Sequence, residues 1–238
     1  MEPGTMQPGP TVPAAAEPRR LYQHIADQIR ELIGSGRFPA GTRLPAERDL
    51  AHQFGVSRPS LREALIALEI HGHVEIRMGS GVYVSAASGR SLLGTAPLGE
   101  SPTELMQARA ALESCVAAQA AARITDAGLA RLREALQGMR NGVGDSRAPV
   151  DNDRAFHLTI AEIAGNSVMQ RMIGQLFDER HSPIATQLIV RAENVQTWRA
   201  ALAEHEVIYQ ALEARDPLGA QSAMRAHLKS SEERWLGN

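Results

Sequence analysis

The stretch LPAERDLAHQFGVSRPSLREALIALEIHGHVEIRMGSGVYVSA, residues 44–86, constrains the fold more than any other part of the chain. It holds two short helical segments separated by Gly55. A glycine at that point ends the first helix by taking left-handed backbone. Val56 supplies an apolar contact in the turn, and Ser57 is a good N-cap for the second helix. Pro59 falls in that helix's first turn, where a missing N–H costs little. Leu61, Leu65 and Leu68 recur at helical spacing and predict a buried stripe. HVEIR and GVYVSA follow, joined by MGSG, and the alternation Val74/Ile76 and Val82/Val84 predicts a hairpin. Upstream, Leu21, Ile25, Ile29, Leu32 and Ile33 place a further helix, ended by Gly34 and Gly36, with a turn PAGTR after it. A helix, a helix-turn-helix and a two-stranded wing make a winged-helix arrangement.

The basic residues of this module lie where that arrangement meets DNA. Arg58 and Arg62 are four apart at the start of the second helix and share one face. The start of a helix also offers free backbone N–H groups to phosphate. Arg48 belongs to the helix before it. Arginine bridges guanine O6 and N7 or holds a phosphate, and Ser57 and Ser60 can add phosphate hydrogen bonds. Gly79 and Gly81 let the wing backbone approach a minor groove. A solvated face is the alternative, because Glu47, Asp49 and Glu63 are interleaved. Residues 19–86 hold nine Arg against seven Asp and Glu, a net +2 that two copies in a dimer would double.

The rest of the chain divides simply. Residues 1–18 are rich in proline, glycine and alanine and are expected to be a disordered tail. Residues 19–86 form the winged helix-turn-helix, 87–100 a linker, and 101–238 an all-α bundle of six or seven helices. The expected helices begin at Ser101-Pro102 and cover about 125–140, 150–164, 167–180, 183–191, 194–214 and 216–236. The fold class is mainly α with a small β wing. At 43% hydrophobic residues a sizeable core is available, and 4% aromatics with abundant Ala and Leu favour helix. The single Cys115 excludes an internal disulfide framework and is expected to be a small core residue. No apolar run reaches the roughly 18 residues of a membrane span, and no secretory signal is visible, so a cytoplasmic chain is expected.

Asp153 and His157 stand four residues apart in DNDRAFHLTIAEIAGN, on a helix that turns Phe156, Ile160 and Ile163 to a core. They are either an ordinary polar pair or half of a metal site. His205 and His227 lie mid-helix among apolar neighbours, where a lone histidine is usually a hydrogen-bonded core residue. Helical bundles also build metal sites from inward side chains of facing helices. Three imidazoles and a carboxylate suit zinc first, with nickel, manganese or iron as alternatives. His24, His52, His71, His73 and His181 carry no such pattern. A metal-dependent hydrolase with Glu162 or Glu206 as base is the reading from another class.

Residues 22–84, with LPAERDLA and GVSRPSLREAL at their centre, resemble the winged-helix domain of GntR-family bacterial transcription regulators. The resemblance implies that Arg48, Arg58 and Arg62 contact an operator, supported by Ser57, Ser60 and Gly79. It implies a homodimer on a pseudo-palindromic site in double-stranded DNA. Residues 103–235 resemble the FCD ligand-binding domain of the FadR subfamily, through ARAALE at 108–113, Asp-x-x-x-His at 153–157 followed by AGN, and the two late histidines. That resemblance implies Asp153, His157, His205 and His227 as metal ligands and a small organic acid as effector, held by Arg109. It implies a regulator, most simply a repressor whose grip on DNA the effector weakens, and no enzyme.

Overall fold

A computed structural model describes residues 20–86, 97–145 and 148–236 of the chain. The expected tail at 1–18 and most of the expected linker lie outside the described residues. Helix α1 (Leu21–Gly34) is followed by α2 (Glu47–Phe54) and α3 (Arg58–Ile70). Gly55 caps α2 in the left-handed region, with φ of 66°. Ser57 caps α3, its hydroxyl accepting from the Ser60 amide. Strands β1 (Val74–Arg77) and β2 (Gly81–Val84) pair antiparallel, Val74 opposite Val84 and Arg77 opposite Gly81. The segment read as a turn at PAGTR does more than turn. Gly41 and Leu44 donate to the carbonyls of Val84 and Val82, and Thr42 accepts from Val84, so residues 41–44 lie along the free edge of β2. This covers a strand edge that would otherwise be open.

Seven helices follow: α4 (Pro102–Arg123), α5 (Asp126–Gly144), α6 (Val150–Ile163), α7 (Ser167–Asp178), α8 (Pro183–Ala192), α9 (Val195–Glu213) and α10 (Pro217–Leu236). A 3₁₀ turn, Glu179–His181, joins α7 to α8. Ser101 and Asp216 begin helices where the sequence places them, whereas Asn166, expected with Gly165 to close the preceding helix, opens the next one. Ser101 accepts from the Glu104 amide, Asn166 caps α7, and the Asp216 carboxylate accepts from Gly219. Helix α5 runs one turn further than the sequence suggested, taking Asn141–Gly144 into the helix. Helix α10 packs along α4 and α9, and α5 along α6 and α9. Their core is built from Leu132, Phe156, Ile160, Ile208, Met224 and Leu228. Ala117, Ala120 and Ala121 on α4 let the neighbouring helices approach closely. Cys115 is exposed, on the far side of α4 from this alanine stripe, which corrects its expected place in the core.

The winged helix has its own core of Tyr22, Ile29, Leu50, Leu61, Leu65 and Val84. That core does not stop at the domain boundary. Leu98, Ile184, Leu188 and Leu236, all from beyond residue 86, belong to it, and Trp235 packs against both cores. The end of the expected linker is therefore held in place. Gly99 accepts from the Tyr22 hydroxyl at 2.9 Å, and Arg20 pairs with Glu100. Leu188→Ala should lower stability by about 2–5 kcal/mol. Although Leu188 lies in α8, hydrogen exchange in the variant should quicken in α1 and α3 more than in α5.

Candidate functional site

Asp153 and His157 project from one face of α6, one turn apart, and meet His205 from α9 and His227 from α10. One potential ligand atom from each lies within 4.8 Å of all the others, and all four residues are buried. His205 Nε2 is 3.0 Å from Asp153 Oδ1 and 3.2 Å from His157 Nε2. The other ring nitrogen of each histidine is occupied. His157 Nδ1–H donates to Glu113 Oε2 at 2.5 Å, His205 Nδ1–H to the Ala201 carbonyl at 2.7 Å, and His227 Nδ1–H to Glu204 Oε2 at 2.8 Å. Because each Nδ1–H is engaged, each Nε2 faces the centre, free to ligate a cation where it carries a lone pair and, in His205, to donate to Asp153 where it carries a proton. This is how imidazole ligands to a metal are held.

The electrostatics agree. Burial disfavours charge on Asp153, yet the His205 hydrogen bond and the surrounding imidazoles hold its carboxyl well below the usual carboxylate range. Burial also opposes charge on Glu113, but Arg109 and His157 bring its pKa down to about 2. His227 is pushed down to about 3, first by burial and then by His205, so it stays neutral and ready to ligate at physiological pH. Three imidazoles with one carboxylate make a donor set that could hold a divalent transition metal.

Beside the cluster lies a cavity of about 40 Å³, lined by Arg109, Asp153, Arg180, Trp198, His227 and Arg234 among others. Arg109 Nε donates to Glu113 at 2.7 Å, and its guanidinium lies over the Phe177 ring. The arginine read as an effector contact is thus at the cavity, and it also braces the carboxylate that orients His157. Arg180 donates to Glu193 at 2.8 Å and comes within 3.8 Å of Asp153. Burial raises the pKa of Glu193, with Arg180 opposing. Arg234 holds Glu204 through two hydrogen bonds, at 2.6 and 2.9 Å. No local pattern points to Arg180, Glu193, Glu204 or Arg234. Glu113 could have been found, because it stands one turn after Arg109 in the same helix.

On the winged helix, Arg48 and Arg58 are exposed. Ser57 and Ser60 bond to each other at 2.8 Å. Gly79 sits at the wing tip with φ of 70°, a backbone that disfavours any residue with a Cβ. Gly81 is needed for space as well, since a Cβ there would lie 2.6 Å from Arg43 Nε. Arg62 is placed differently from Arg58. Its Nη2 donates to Glu47 at 2.6 Å, and its Nη1 donates to the Leu236 carbonyl at the end of α10. The two bases considered for a hydrolase are surface groups: Glu162 pairs with Arg131, and Glu206 with Arg140.

A DNA-binding winged helix joined to a helical ligand-binding bundle defines a transcription regulator. Residues 21–84 match the bacterial regulatory proteins of the gntR family, and residues 104–230 match the FCD domain. The Uxu operon transcriptional regulator of Escherichia coli K12 is 35% identical over 230 residues, covering 94% of this chain and 90% of that protein. The HTH-type transcriptional repressor NanR of Klebsiella aerogenes is 31% identical, covering 91% and 86%. Among solved structures, Lar, which controls the expression of the Listeria monocytogenes agr system, superposes with a TM-score of 0.50 at 21% identity, covering 92% and 98%. The chain belongs to the GntR family, in the branch that carries an FCD domain, and it is a regulator rather than an enzyme. None of its described helices is long and apolar enough to cross a membrane.

Purified protein should hold close to one divalent metal per chain by elemental analysis. His157→Ala/His205→Ala should hold none. Metal at 100 times its Kd should stabilise the fold by about 2.7 kcal/mol, read as a rise in melting temperature that a chelator reverses.

Proposed function

We propose that the chain is a metabolite-responsive repressor. In this reading a homodimer grips a pseudo-palindromic operator in the cytoplasm, and a small organic acid releases it. The acid ligates a metal, zinc first among the candidates, held by Asp153, His157, His205 and His227. The observation that carries the reading is the convergence of three Nδ1-anchored imidazoles and one carboxylate on a cavity edged by arginines. A carboxylate there meets both a cation and guanidinium donors in a site shielded from water, where each is worth more than in solvent. Arg109 is the guanidinium assigned to it. The name of the NanR relative supports repression. For the dimer, the groove between α4 and α7, with Leu105, Leu112, Met172 and Leu176, offers an apolar face.

Arg48, Arg58 and Arg62, with Ser57, Ser60 and Gly79, are assigned to DNA. Coupling needs the acid to favour one arrangement of the modules over the other by about 1–3 kcal/mol. The test is a thermal-shift screen of small carboxylates on the metal-loaded protein, followed by operator titration with each hit. Hits should weaken operator binding, and tighter binding with every acid would refute release. Arg109→Lys should keep the metal yet lower acid affinity about tenfold or more, the loss of one charge-assisted hydrogen bond. Arg58→Ala should cost about 1–3 kcal/mol at the selected operator if Arg58 reads a base, and should weaken all sequences alike if it holds phosphate.

A further inference from the structure

Helix α3 carries the DNA-reading residues, yet three of its polar side chains are tied to the effector domain. Glu63 accepts from Ser101 Oγ, Thr103 N and Thr103 Oγ1 at the start of α4, at 2.8, 2.8 and 2.6 Å. Glu69 pairs with Arg191 of α8. Arg62 donates to the Leu236 carbonyl at the last residue of α10. Leu236 itself is buried in the winged-helix core, at 2% exposure. A cavity of about 430 Å³ separates the two modules beside these ties. Arg43, Arg62, Arg77 and the wing glycines line one side, and Leu188, Arg191, Arg234 and Trp235 line the other. The wing and Arg62 thus face α8 and α10 across this gap.

We propose that the last turn of α10 is an intramolecular competitor for the DNA-reading face, holding Arg62 off the operator in the released form of the regulator. The inference rests on the reading of Arg62 as a DNA contact. One guanidinium edge cannot hold the Leu236 carbonyl and a phosphate or guanine together. Gripping DNA therefore requires α10 to let go of α3, and whatever strengthens the α10 contact weakens operator binding.

The latch is joined to the metal cluster by a short route. Arg234, two residues before Leu236, holds Glu204, and Glu204 accepts from His227 Nδ1. Trp235 lies between them and lines both the effector cavity and the interdomain cavity. A rearrangement around His227 reaches Arg234 through Glu204 of α9, and Arg234 shares the last turn of α10 with Leu236. It does not have to pass through the connection between the modules.

The test uses the full-length, metal-loaded protein and a duplex that the wild type selects from random DNA. Leu236→Asp puts a charge into an apolar pocket and expels the last turn of α10. Arg191→Ala removes the α8 tie at a half-exposed position and guards against loss of folding in the first variant. Leu236→Asp should raise operator affinity roughly tenfold and Arg191→Ala by a smaller factor, and both should respond less to the acid. In an Arg62→Ala background neither change should raise affinity. Unchanged or weaker operator binding in both single variants, with Arg62→Ala itself impaired, would overturn the latch and leave Arg62 as a DNA contact. Wild-type affinity in Arg62→Ala would overturn the reading of Arg62, and the latch with it.

Discussion

The structure of the effector domain turns on the second hydrogen bond of each imidazole. Three histidines and an aspartate gathered in an apolar bundle would ordinarily cost several kcal/mol, since buried polar groups are tolerated only when satisfied. Here every ring is fixed at Nδ1, by Glu113, Ala201 and Glu204, before its Nε2 reaches the centre. Those partners come from α4 and α9, so four helices have to be in register for the cluster to exist. The same helices bury Phe156, Ile208 and Met224. Packing and polar satisfaction thus specify one arrangement together, and a loss of either would loosen the other.

A second layer of carboxylates gives the site its reach. Glu113 ties His157 to Arg109, and Glu204 ties His227 to Arg234. Two of the three histidines are therefore linked through a carboxylate to an arginine at the cavity edge, and Arg234 stands in the last turn of α10, which docks on the winged helix. Glu63 supplies the complementary strut from α3 to α4, the helix that bears Arg109 and Glu113. The histidine cluster, the cavity beside it and helix α3 are connected by side chains that touch, which is a physical basis for coupling that distance alone would not provide.

Much of this was legible in the sequence because it depends on local chemistry. Gly55, Ser57 and Pro59 fix the turn between α2 and α3. Ser101 and Asp216 mark helix starts. The spacing of Asp153 and His157 puts them on one face, whichever fold follows. What stayed hidden depends on contacts across long sequence separations. Arg180 and Glu193 stand in no motif, and only the 3₁₀ turn at Glu179–His181 brings Arg180 inward to meet Glu193. Arg62 looks equivalent to Arg58 at helical spacing, and only the position of α10 separates their environments. Cys115 lies among alanines that are half core and half surface, so composition could not choose its side. The strand-like edge at residues 41–44 lacks β-branched residues and owes its conformation to β2.

The chain contains two tryptophans, and both stand at the effector cavity. Trp235 in addition borders the gap between the modules and touches both cores. The indole emission of this protein therefore originates wholly within a few side chains of Arg180, His227 and Arg234, with no background from the rest of the molecule. The protein thus carries a native optical gauge, both rings of which report on the chamber and one of which reports on the gap between the modules as well.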